Sequence, residues 1–332
     1  MRISLFVPPL AADPLGGGHA YDRRLLAALR AAGHAADAVA VTDAQAAWDA
    51  LAPDAVPVID GMCLPAFAPL LPVLGERRAV GLLHHAAPVF HLPPEAREDA
   101  RAAQRRLLRA LPRVVATSAA TEKKLVEAFG VAPARIAVVA PGADDLARST
   151  GSGGPGCALL SVGALVPRKG HDVLLRALAR LFDLDWHLTI AGDERRDPET
   201  VGALAALAAE PGLAGRVTFA GAPDPATLET LWRGADVFAL ATRWEATGAA
   251  ITEALRRGLP VAVTEWGGAA AMVPPEAGVV APLDDADQLS KALRRLIFDV
   301  PLRRDIADAA WQAGQHLPSW AAQANAFATA IA

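Results

Sequence analysis

Short apolar runs rich in β-branched residues alternate along the chain with longer segments whose apolar residues recur at helical spacing. The first run is RISLFV at 2–7, and the segment after it spaces Leu25, Leu26 and Leu29 at helical intervals. Further strands are predicted at 38–41, 55–59, 79–84, 114–117 and 136–139. Because most of these strands precede a helical segment, the first half predicts a parallel, doubly wound α/β sheet.

The alternation stops at 143–156, where polar and glycine residues accumulate in the segment ADDLARSTGSGGPG. A second series of strands follows, predicted at 158–162, 188–191, 217–220, 237–241, 261–264 and 278–280. We therefore predict two doubly wound α/β domains, at 1–148 and 149–332. The last segment, 320–332, has helical spacing and closes the chain.

Composition indicates a globular protein that does not bind nucleic acid. The 332 residues, 53% hydrophobic and 20% charged, suffice for two domains with their own cores. The 32 basic and 36 acidic residues give a net charge of -4, and there is no basic tract of the kind that neutralises a nucleic-acid backbone. Cys63 and Cys157 belong to no CxxC or Cys/His cluster, which indicates a reducing, cytoplasmic compartment and no zinc site.

The sequence predicts neither a signal peptide nor a membrane span. The first residues, 1–13, are interpreted as a strand and its loop, since a pair of prolines interrupts their short apolar run. The uncharged, apolar stretch 61–75 carries three prolines. It also falls short of the ~20 residues that a bilayer span requires.

The strongest chemical signal is the segment ATRWEATGAAITEALRRGLPVAV at 241–263, in which seven residues separate Glu245 from Glu253. Both follow a predicted strand, and Glu253 stands on the helix after it. A carboxylate is a strong acceptor for a pair of hydroxyl donors, which makes glutamate suitable for binding a sugar. By spacing alone, two solvated helix glutamates are an equally good interpretation, so the neighbouring segments must decide.

This segment resembles the Glu-x7-Glu motif of retaining glycosyltransferases of family four. The resemblance implies the GT-B architecture, with two Rossmann-like α/β domains facing each other across a cleft. Residues 1–148 would form the acceptor-side domain and 149–332 the donor-binding domain, with the terminal helix able to pack back on the first. Glu245 would then contact the transferred sugar and Glu253 the ribose hydroxyls. Thr247 and Gly248 are assigned to the donor site, where the glycine lets backbone amides approach.

The segment VGALVPRKGHDVLLRAL at 162–178 resembles the family's strand, basic loop and helix. Lys169 matches the family lysine, and Arg168 stands beside it, so both are expected to neutralise the donor diphosphate. Fixed cations and amides stabilise the negative charge that a departing nucleoside diphosphate gains. We expect Lys169 to be an exposed cleft residue. The family arginine usually follows the strand glycine directly, whereas Ala164 occupies that position here.

Two features of the first domain extend the resemblance. GGGHAYDRRLLAALRAAGH at 16–34 resembles the family's glycine loop and helix, in which Gly17 and Gly18 let the backbone approach a donor phosphate or the transferred sugar. His84 and His85 end the strand AVGLLHH, where the family often places a histidine facing the sugar. We assign His84 to catalysis, as a hydrogen-bond donor to a hydroxyl or as a residue that orients the acceptor. A structural histidine at a strand end is the alternative.

Other positions depart from the family or from metal chemistry. Ala246 stands where the family has the first glycine of a Gly-aromatic-Gly sequence, and Ala271 stands where an acidic residue is common. These departures indicate an unusual donor sugar or a weakened activity. The Asp-x-Asp stretches at 183–185 and 285–287 are similar to the metal motif of the other major glycosyltransferase architecture. We interpret the first as a loop and the second as a helix cap, so no metal is expected.

We predict a retaining, metal-independent transfer of a sugar to an acceptor hydroxyl. The co-substrate is a nucleotide-diphosphate sugar of unknown base, with no further cofactor, and the acceptor is a small molecule, a glycan or a lipid. A nucleotide-sugar epimerase of the same architecture and a non-catalytic nucleotide-sugar binder are alternatives. Arginine recurs at every fourth position from 97 to 109, but acidic neighbours dilute this stripe, so a solvated helix face is favoured over peripheral membrane contact.

Overall fold

The computed structural model describes residues 1–9, 17–84, 94–245, 248–265 and 268–332. The strands are β1 (Arg2–Val7), β2 (Ala35–Ala40), β3 (Ala55–Asp60), β4 (Val80–Leu83), β5 (Arg113–Ala116), β6 (Ile136–Val138), β7 (Cys157–Val162), β8 (Trp186–Ala191), β9 (Val217–Phe219), β10 (Val237–Leu240), β11 (Val261–Thr264) and β12 (Gly278–Ala281). Each strand predicted from the sequence is confirmed, with ends that shift by at most three residues.

Helices follow most of these strands, as the hydrophobic pattern predicts. They are α1 (Gly17–Ala31), α2 (Ala44–Asp49), α3 (Leu71–Leu74), α4 (Pro94–Ala110), α5 (Ala119–Phe129), α6 (His171–Ala179), α7 (Pro198–Ala208), α8 (Pro225–Gly234), α9 (Ala249–Arg256), α10 (Gly268–Ala271), α11 (Ala286–Phe298), α12 (Val300–Gln315) and α13 (Trp320–Ile331). Among the helices of the described ranges, none combines the length and the apolar character that a bilayer span requires.

The chain divides into two compact units. The first comprises Met1–Gly142 together with Pro318–Ala332, and the second is Ala143–Leu317. The division therefore falls after residue 142, whereas the sequence placed it after 148. The last helix, α13, belongs to the first unit, where Phe327 and Ile331 lie in the same apolar cluster as residues of α1.

The first unit is built on one parallel sheet with the strand order β2-β1-β3-β4-β5-β6. Consecutive strand residues belong to different core clusters: Val58 packs on the side of α1 and α13, and Ile59 packs on the side of α2 and α4. Both faces are therefore covered, which explains why these strands are continuous apolar runs. The order reverses between β1 and β3, and such a switch point is where open α/β sheets bind ligands.

The second unit repeats this design with the order β12-β11-β10-β7-β8-β9, again with parallel pairing. Leu159 and Leu160 of β7 point into opposite core clusters, as the pleat requires. The order of this sheet reverses between β7 and β10, so the second switch point lies there.

Side-chain caps and ion pairs account for the polar features noted in the sequence. Asp285 accepts hydrogen bonds from the backbone N–H of Asp287 at 3.0 Å and of Gln288 at 2.9 Å, which confirms the second Asp-x-Asp stretch as a helix cap. Asp183, in the first stretch, pairs with Arg294 of α11. On α4, two arginines of the basic stripe reach the same Glu98 carboxylate, so part of its charge is neutralised.

Candidate functional site

The second unit carries its candidate site where the carboxyl ends of β7 and β10 lie side by side at the switch point. A short 3₁₀ turn, Pro167–Lys169, follows β7. Its Arg168 carbonyl oxygen accepts hydrogen bonds from the backbone N–H of Arg243 at 2.8 Å and from Thr242 Oγ1 at 3.1 Å. These bonds tie the loop after β7 to the loop after β10.

This connection brings together two of the residues predicted to act in catalysis, Lys169 and Glu245. Lys169 Nζ donates to Glu245 Oε2 in an ion pair. The two side chains are only 10% and 9% exposed, so the expectation of an exposed cleft lysine is wrong. The physical reason is that the Glu245 carboxylate compensates the ammonium, which could not otherwise be buried at acceptable cost. A Cβ on Gly163 would lie 3.0 Å from Lys169 Cδ, so the absence of a side chain at residue 163 makes room for the lysine stem.

Two glycines in the left-handed region begin the helices beside this pair. Gly170, with φ +64°, precedes α6, and a Cβ there would clash with the Ala241 carbonyl oxygen. Gly248, with φ +61°, precedes α9. Neither glycine can offer a side-chain cap, so the first backbone N–H groups of both helices suit an anionic ligand. Thr247, also assigned to the donor site, lies outside the described residues.

Glu253 stands on α9 and is held by a neighbour that the sequence analysis missed. Its Oε1 accepts hydrogen bonds from Arg257 Nη2 at 3.0 Å and Nε at 3.3 Å. The buried Arg257 guanidinium also donates to both carboxylate oxygens of Glu229, at 3.0 and 2.6 Å. Burial raises the pKa of Glu253, and the charge and hydrogen bonds of Arg257 oppose this rise. The four-residue spacing of Glu253 and Arg257 on one helix face is the signal that could have found this pair.

The side chains of Arg168 and Arg243 contact residues of the neighbouring loops and of α6. The Arg168 guanidinium lies over the Trp244 ring, 5.8 Å from its centroid. Arg243 donates to both oxygens of Asp172 at 2.9 Å and to Asp284 at 2.6 Å. The Asp172 carboxylate is therefore well compensated, and despite its partial burial hydrogen bonds from Arg243 lower its pKa.

Of the three positions that depart from the family, Ala164 and Ala271 lie in the described chain and Ala246 does not. Ala164 is half-buried directly after Gly163, and Ala271 is exposed at the end of α10. Neither alanine side chain carries a charge that could meet a phosphate. In the described part of this site, Lys169 is therefore the residue that places an ammonium near the helix N-termini.

The first unit carries a second charged cluster at the carboxyl ends of β3 and β4. Asp60 ends β3, His84 follows β4, and Asp22 lies on α1. His84 Nε2 lies 3.0 Å from Asp22 Oδ1 and 3.3 Å from Asp60 Oδ2. All three residues are buried, at 2% exposure for each aspartate and 5% for the histidine. Neither aspartate is predicted from the sequence. Asp60 could have been noticed as an Asp at the end of an apolar strand, whereas Asp22 on α1 has no such signal.

The pKa directions in this cluster follow from its geometry. Burial by itself lowers the pKa of His84, but the charges and hydrogen bonds of Asp22 and Asp60 outweigh burial and raise it to about 10. Burial raises the pKa of Asp22. Burial also acts to raise the pKa of Asp60, but the hydrogen bond from His84 prevails and lowers it. An imidazolium beside a carboxylate is therefore the favoured state at neutral pH.

Gly18 and His84, predicted separately, meet in the first unit. A Cβ on Gly18 would lie 2.9 Å from His84 Cδ2, so this glycine makes room for the imidazole ring. Gly17 begins α1. His85, the second histidine of the strand end, lies outside the described residues.

This cluster is also the place where the described chain could surround a cation. One ligand atom from each of Asp22, Asp60 and His84 can be chosen so that all lie within 4.8 Å of one another. The distances from Nε2 to the two carboxylates are those of hydrogen bonds, however, and a shared proton accounts for them. The expectation of no metal stays a prediction.

Family models match both halves of the chain. The model for Glycosyl transferases group 1 matches residues 144–312, and the model for Glycosyltransferase Family 4 matches residues 43–145. The D-inositol 3-phosphate glycosyltransferase of Nocardia farcinica is 34% identical over 180 residues, covering 50% of this chain and 40% of that protein. The protein of the same name from Thermomonospora curvata is 34% identical over 221 residues, covering 58% and 50%. The chain spans about half the length of the curated relatives it matches.

Solved structures share the whole fold. Sucrose-phosphate synthase from Thermosynechococcus elongatus has a TM-score of 0.83 at 21% identity, covering 99% of this chain and 98% of that chain. Anabaena HepE in complex with UDP-glucose has a TM-score of 0.82 at 18% identity, with coverage of 99% and 98%. At these identities the likeness shows the fold, and it confirms the predicted α/β class with two Rossmann-like units of the GT-B type. Since the group 1 model alone spans half of the sequence, the chain belongs to the glycosyl transferases group 1.

Proposed function

We propose that the chain transfers a sugar from a nucleotide-diphosphate sugar to a hydroxyl group of an acceptor. The observation that carries this proposal is the buried Lys169–Glu245 pair at the switch point of the second sheet. Apolar side chains of similar volume would stabilise a fold as well as a buried ion pair does, so such a pair needs another explanation. Membership of the glycosyl transferases group 1 supports a functional one.

The chemistry of Lys169 suits a diphosphate. A lysine ammonium has three N–H donors, of which Glu245 accepts one, and the others suit phosphate oxygens. When the glycosidic bond of the donor breaks, negative charge accumulates on the departing nucleoside diphosphate. A cation that Glu245 already holds in place stabilises this charge without reorganising, and the N-terminus of α6 directly after it adds partial positive charge.

The two motif glutamates take different partners in this proposal. Glu245 accepts from hydroxyls of the transferred sugar, beside the lysine that meets the diphosphate. Glu253 accepts from a ribose hydroxyl, with its carboxylate held on α9 by Arg257. We further propose that transfer retains the anomeric configuration, as in the family that the Glu-x7-Glu segment resembles. Catalysis then rests on positioning and on charge stabilisation.

Several finer assignments belong to the same proposal. UDP-sugars are the first donors to test, because HepE, which shares the fold, is described in complex with UDP-glucose. Inositol phosphates are the first acceptors to test, because the relatives from Nocardia farcinica and Thermomonospora curvata are D-inositol 3-phosphate glycosyltransferases. Glycan and lipid acceptors follow in the panel. We propose a cytoplasmic, metal-independent reaction, in which Lys169 supplies positive charge and the free, buried Cys63 and Cys157 suit a reducing compartment.

The decisive experiment incubates the purified chain with a panel of nucleotide-diphosphate sugars, with and without acceptors. Release of nucleoside diphosphate together with a glycosylated acceptor supports transfer, and nuclear magnetic resonance of the product gives its anomeric configuration. Lys169→Met should abolish transfer, whereas the matched variant Lys291→Met, at an exposed lysine of α11, should behave as wild type. An isomerised donor would identify an epimerase instead, and binding without turnover would identify a nucleotide-sugar binder.

A further inference from the structure

The buried Asp22–His84–Asp60 cluster of the first unit contains charges that the donor chemistry of the second unit does not use. Both carboxylates approach the same ring nitrogen, Nε2, at 3.0 and 3.3 Å. Because ionised carboxylates can only accept hydrogen bonds, the two aspartates favour a proton on Nε2. The chemistry of the ring then depends on its other nitrogen.

That other nitrogen, His84 Nδ1, is buried and has no hydrogen-bond partner within the described chain. A buried polar atom without a partner is unfavourable, so such atoms in native proteins need a reason. With a neutral ring Nδ1 would be an acceptor, and with a protonated ring it would be a donor. The two carboxylates decide between these states, because negative charge beside the ring favours the imidazolium.

We propose that Asp22 and Asp60 are positioning residues that keep His84 doubly protonated, so that Nδ1–H donates a hydrogen bond to an oxygen of the bound substrate. The inference rests on the proposed transferase function and deepens it. The substrate atom that Nδ1–H meets must accept a hydrogen bond, so it is a hydroxyl, ring or phosphate oxygen. A group that can only donate does not fit this position. The pKa of His84, raised to about 10, agrees with this state.

Among the described residues, Asp22 and Asp60 are the charged groups that act on the His84 ring. From α1, Tyr21 presents its ring, 5.1 Å from the His84 ring centroid, while its hydroxyl donates to the Val139 carbonyl oxygen at 2.9 Å. After β3, the Cys63 thiol lies near both carboxylates, and burial raises its pKa to about 12, so it stays neutral.

The backbone at His84 is fixed as well. The hydroxyls of Thr117 and Thr121 donate to the His84 carbonyl oxygen at 3.4 and 3.2 Å. The imidazole ring leaves no room for a side chain at position 18 of α1, which Gly18 satisfies. The ring is thus held by its main chain, by packing, by the hydrogen bond between Nε2 and Asp22 and by the ion pair with Asp60, which is what a preorganised donor requires.

A spectroscopic test reads the charge of His84 without requiring turnover. The full chain is labelled with ¹⁵N-histidine, and the His84 signals are identified by their loss in His84→Gln. Both ring nitrogens should show imidazolium shifts from about pH 6 to about pH 9, well above the ordinary histidine titration. In Asp60→Asn and in Asp22→Asn the titration should move to lower pH. A neutral His84 at pH 7 in the wild-type spectrum overturns the inference.

A kinetic test separates positioning from a merely structural role. Asp60→Asn should lower kcat about 100-fold, the low end for a positioned proton donor, with little change in donor KM. Its rate should fall further as the pH rises through the lowered pKa of His84. Asp60→Glu, which restores the carboxylate, should recover part of kcat. The control Asp37→Asn, at an exposed residue of β2 that pairs with Arg30, should match wild type.

The outcomes distinguish this inference from the proposed function. Imidazolium signals from His84 support the inference even if the protein turns over no donor in the panel. That lack of turnover would count against the proposed transferase function and not against the charge of His84. Conversely, transfer by a protein in which Asp60→Asn keeps the wild-type kcat and pH profile overturns the inference and leaves the transferase standing. Thermal unfolding of each variant shows whether it folds, and if an Asn variant does not, the wild-type spectrum still decides.

Discussion

Replacing Lys169 by methionine should destabilise the second unit as well as stop transfer, because the ammonium is one half of a buried ion pair. With side-chain exposures of 10% and 9%, neither Lys169 nor Glu245 can regain full hydration when its partner is removed. Breaking a pair of this kind costs about 3 to 5 kcal/mol, since it leaves an uncompensated buried charge. Glu245→Gln should be destabilising for the same reason, because it leaves the ammonium without its counter-charge.

The double variant Lys169→Met/Glu245→Gln tests the origin of that loss. It removes both charges together, so most of the lost stability should return, and the coupling energy of the cycle should reach about 2 kcal/mol or more. Transfer should behave differently. The double variant should stay as inactive as Lys169→Met, with a loss of about 2 to 4 kcal/mol of transition-state stabilisation, because the cation that meets the leaving diphosphate is still missing.

Urea unfolding of the full chain, followed by circular dichroism and tryptophan fluorescence, measures these differences. Trp244 stands next to Glu245 in the chain and should report on the second unit. The exposed Lys291→Met variant controls for the loss of one positive charge. If Lys169→Met unfolds at the same urea concentration as wild type, or if the two single losses simply add, the burial and pairing argument is refuted.

Three further predictions follow from the two clusters. Glu253→Ala should weaken the binding of free nucleoside diphosphate by about 1.5 to 3 kcal/mol in calorimetry, because it removes the carboxylate that accepts from the ribose, whereas Glu245→Gln should mainly lower kcat with the intact donor, because Glu245 also contacts the attached sugar. Transfer should persist after exhaustive chelation, and a complete loss restored only by Mg²⁺ or Mn²⁺ would contradict the role given to Lys169. His84, with its pKa raised to about 10 from an ordinary 6.5, should stabilise the fold fully below about pH 6.5 and lose this contribution as the pH rises towards 10. Between pH 7 and 9 the free energy of unfolding should therefore fall more steeply in wild type than in His84→Gln, by up to about 1.4 kcal/mol per pH unit, and parallel curves would be inconsistent with it.

The two parallel sheets could be predicted because a strand buried on both faces appears in the sequence as a short apolar run. Val261–Thr264 matches its predicted bounds, since every residue of this strand is buried. The prediction is poorest at β2, which begins at Ala35 instead of 38. This strand lies at the edge of its sheet and most of its residues are at least partly exposed, so the apolar signal that marks a strand is weak there.

The unit boundary shifted because side chains distant in sequence decide it. The polar and glycine composition of 143–156 predicts a linker, and the predicted boundary lies inside it, after residue 148. In the structure, Arg256 Nε donates to the Asp144 carbonyl oxygen at 2.7 Å, and Arg256 also pairs with the Asp145 carboxylate. These contacts hold the first linker residues to α9 of the second unit, and no local pattern around 144 indicates them.

The site residues divide in the same way. Residues at a fixed spacing, such as Glu245 and Glu253, can be recognised from the sequence alone, and so can glycines that begin helices. The pairing of Lys169 with Glu245 is not, because it depends on two loops that only the sheet order makes neighbours. Asp22 and Asp60 were missed for that reason, since each comes from a different element and gains its meaning only beside His84.

One physical arrangement recurs in both units. At the carboxyl edge of each sheet, next to the point where the strand order reverses, a buried cation is held by a carboxylate from a neighbouring strand end. In each case the carboxylate lowers the cost of burying the cation and fixes its position before any ligand arrives. A hydrated surface lysine or histidine would have to lose water and side-chain freedom at the moment of reaction, whereas these two cations have already done so during folding. In the proposed reaction, the free energy that each buried charge costs is thus converted into preorganisation, and both clusters lie at the sheet edge where open α/β folds generally bind ligands.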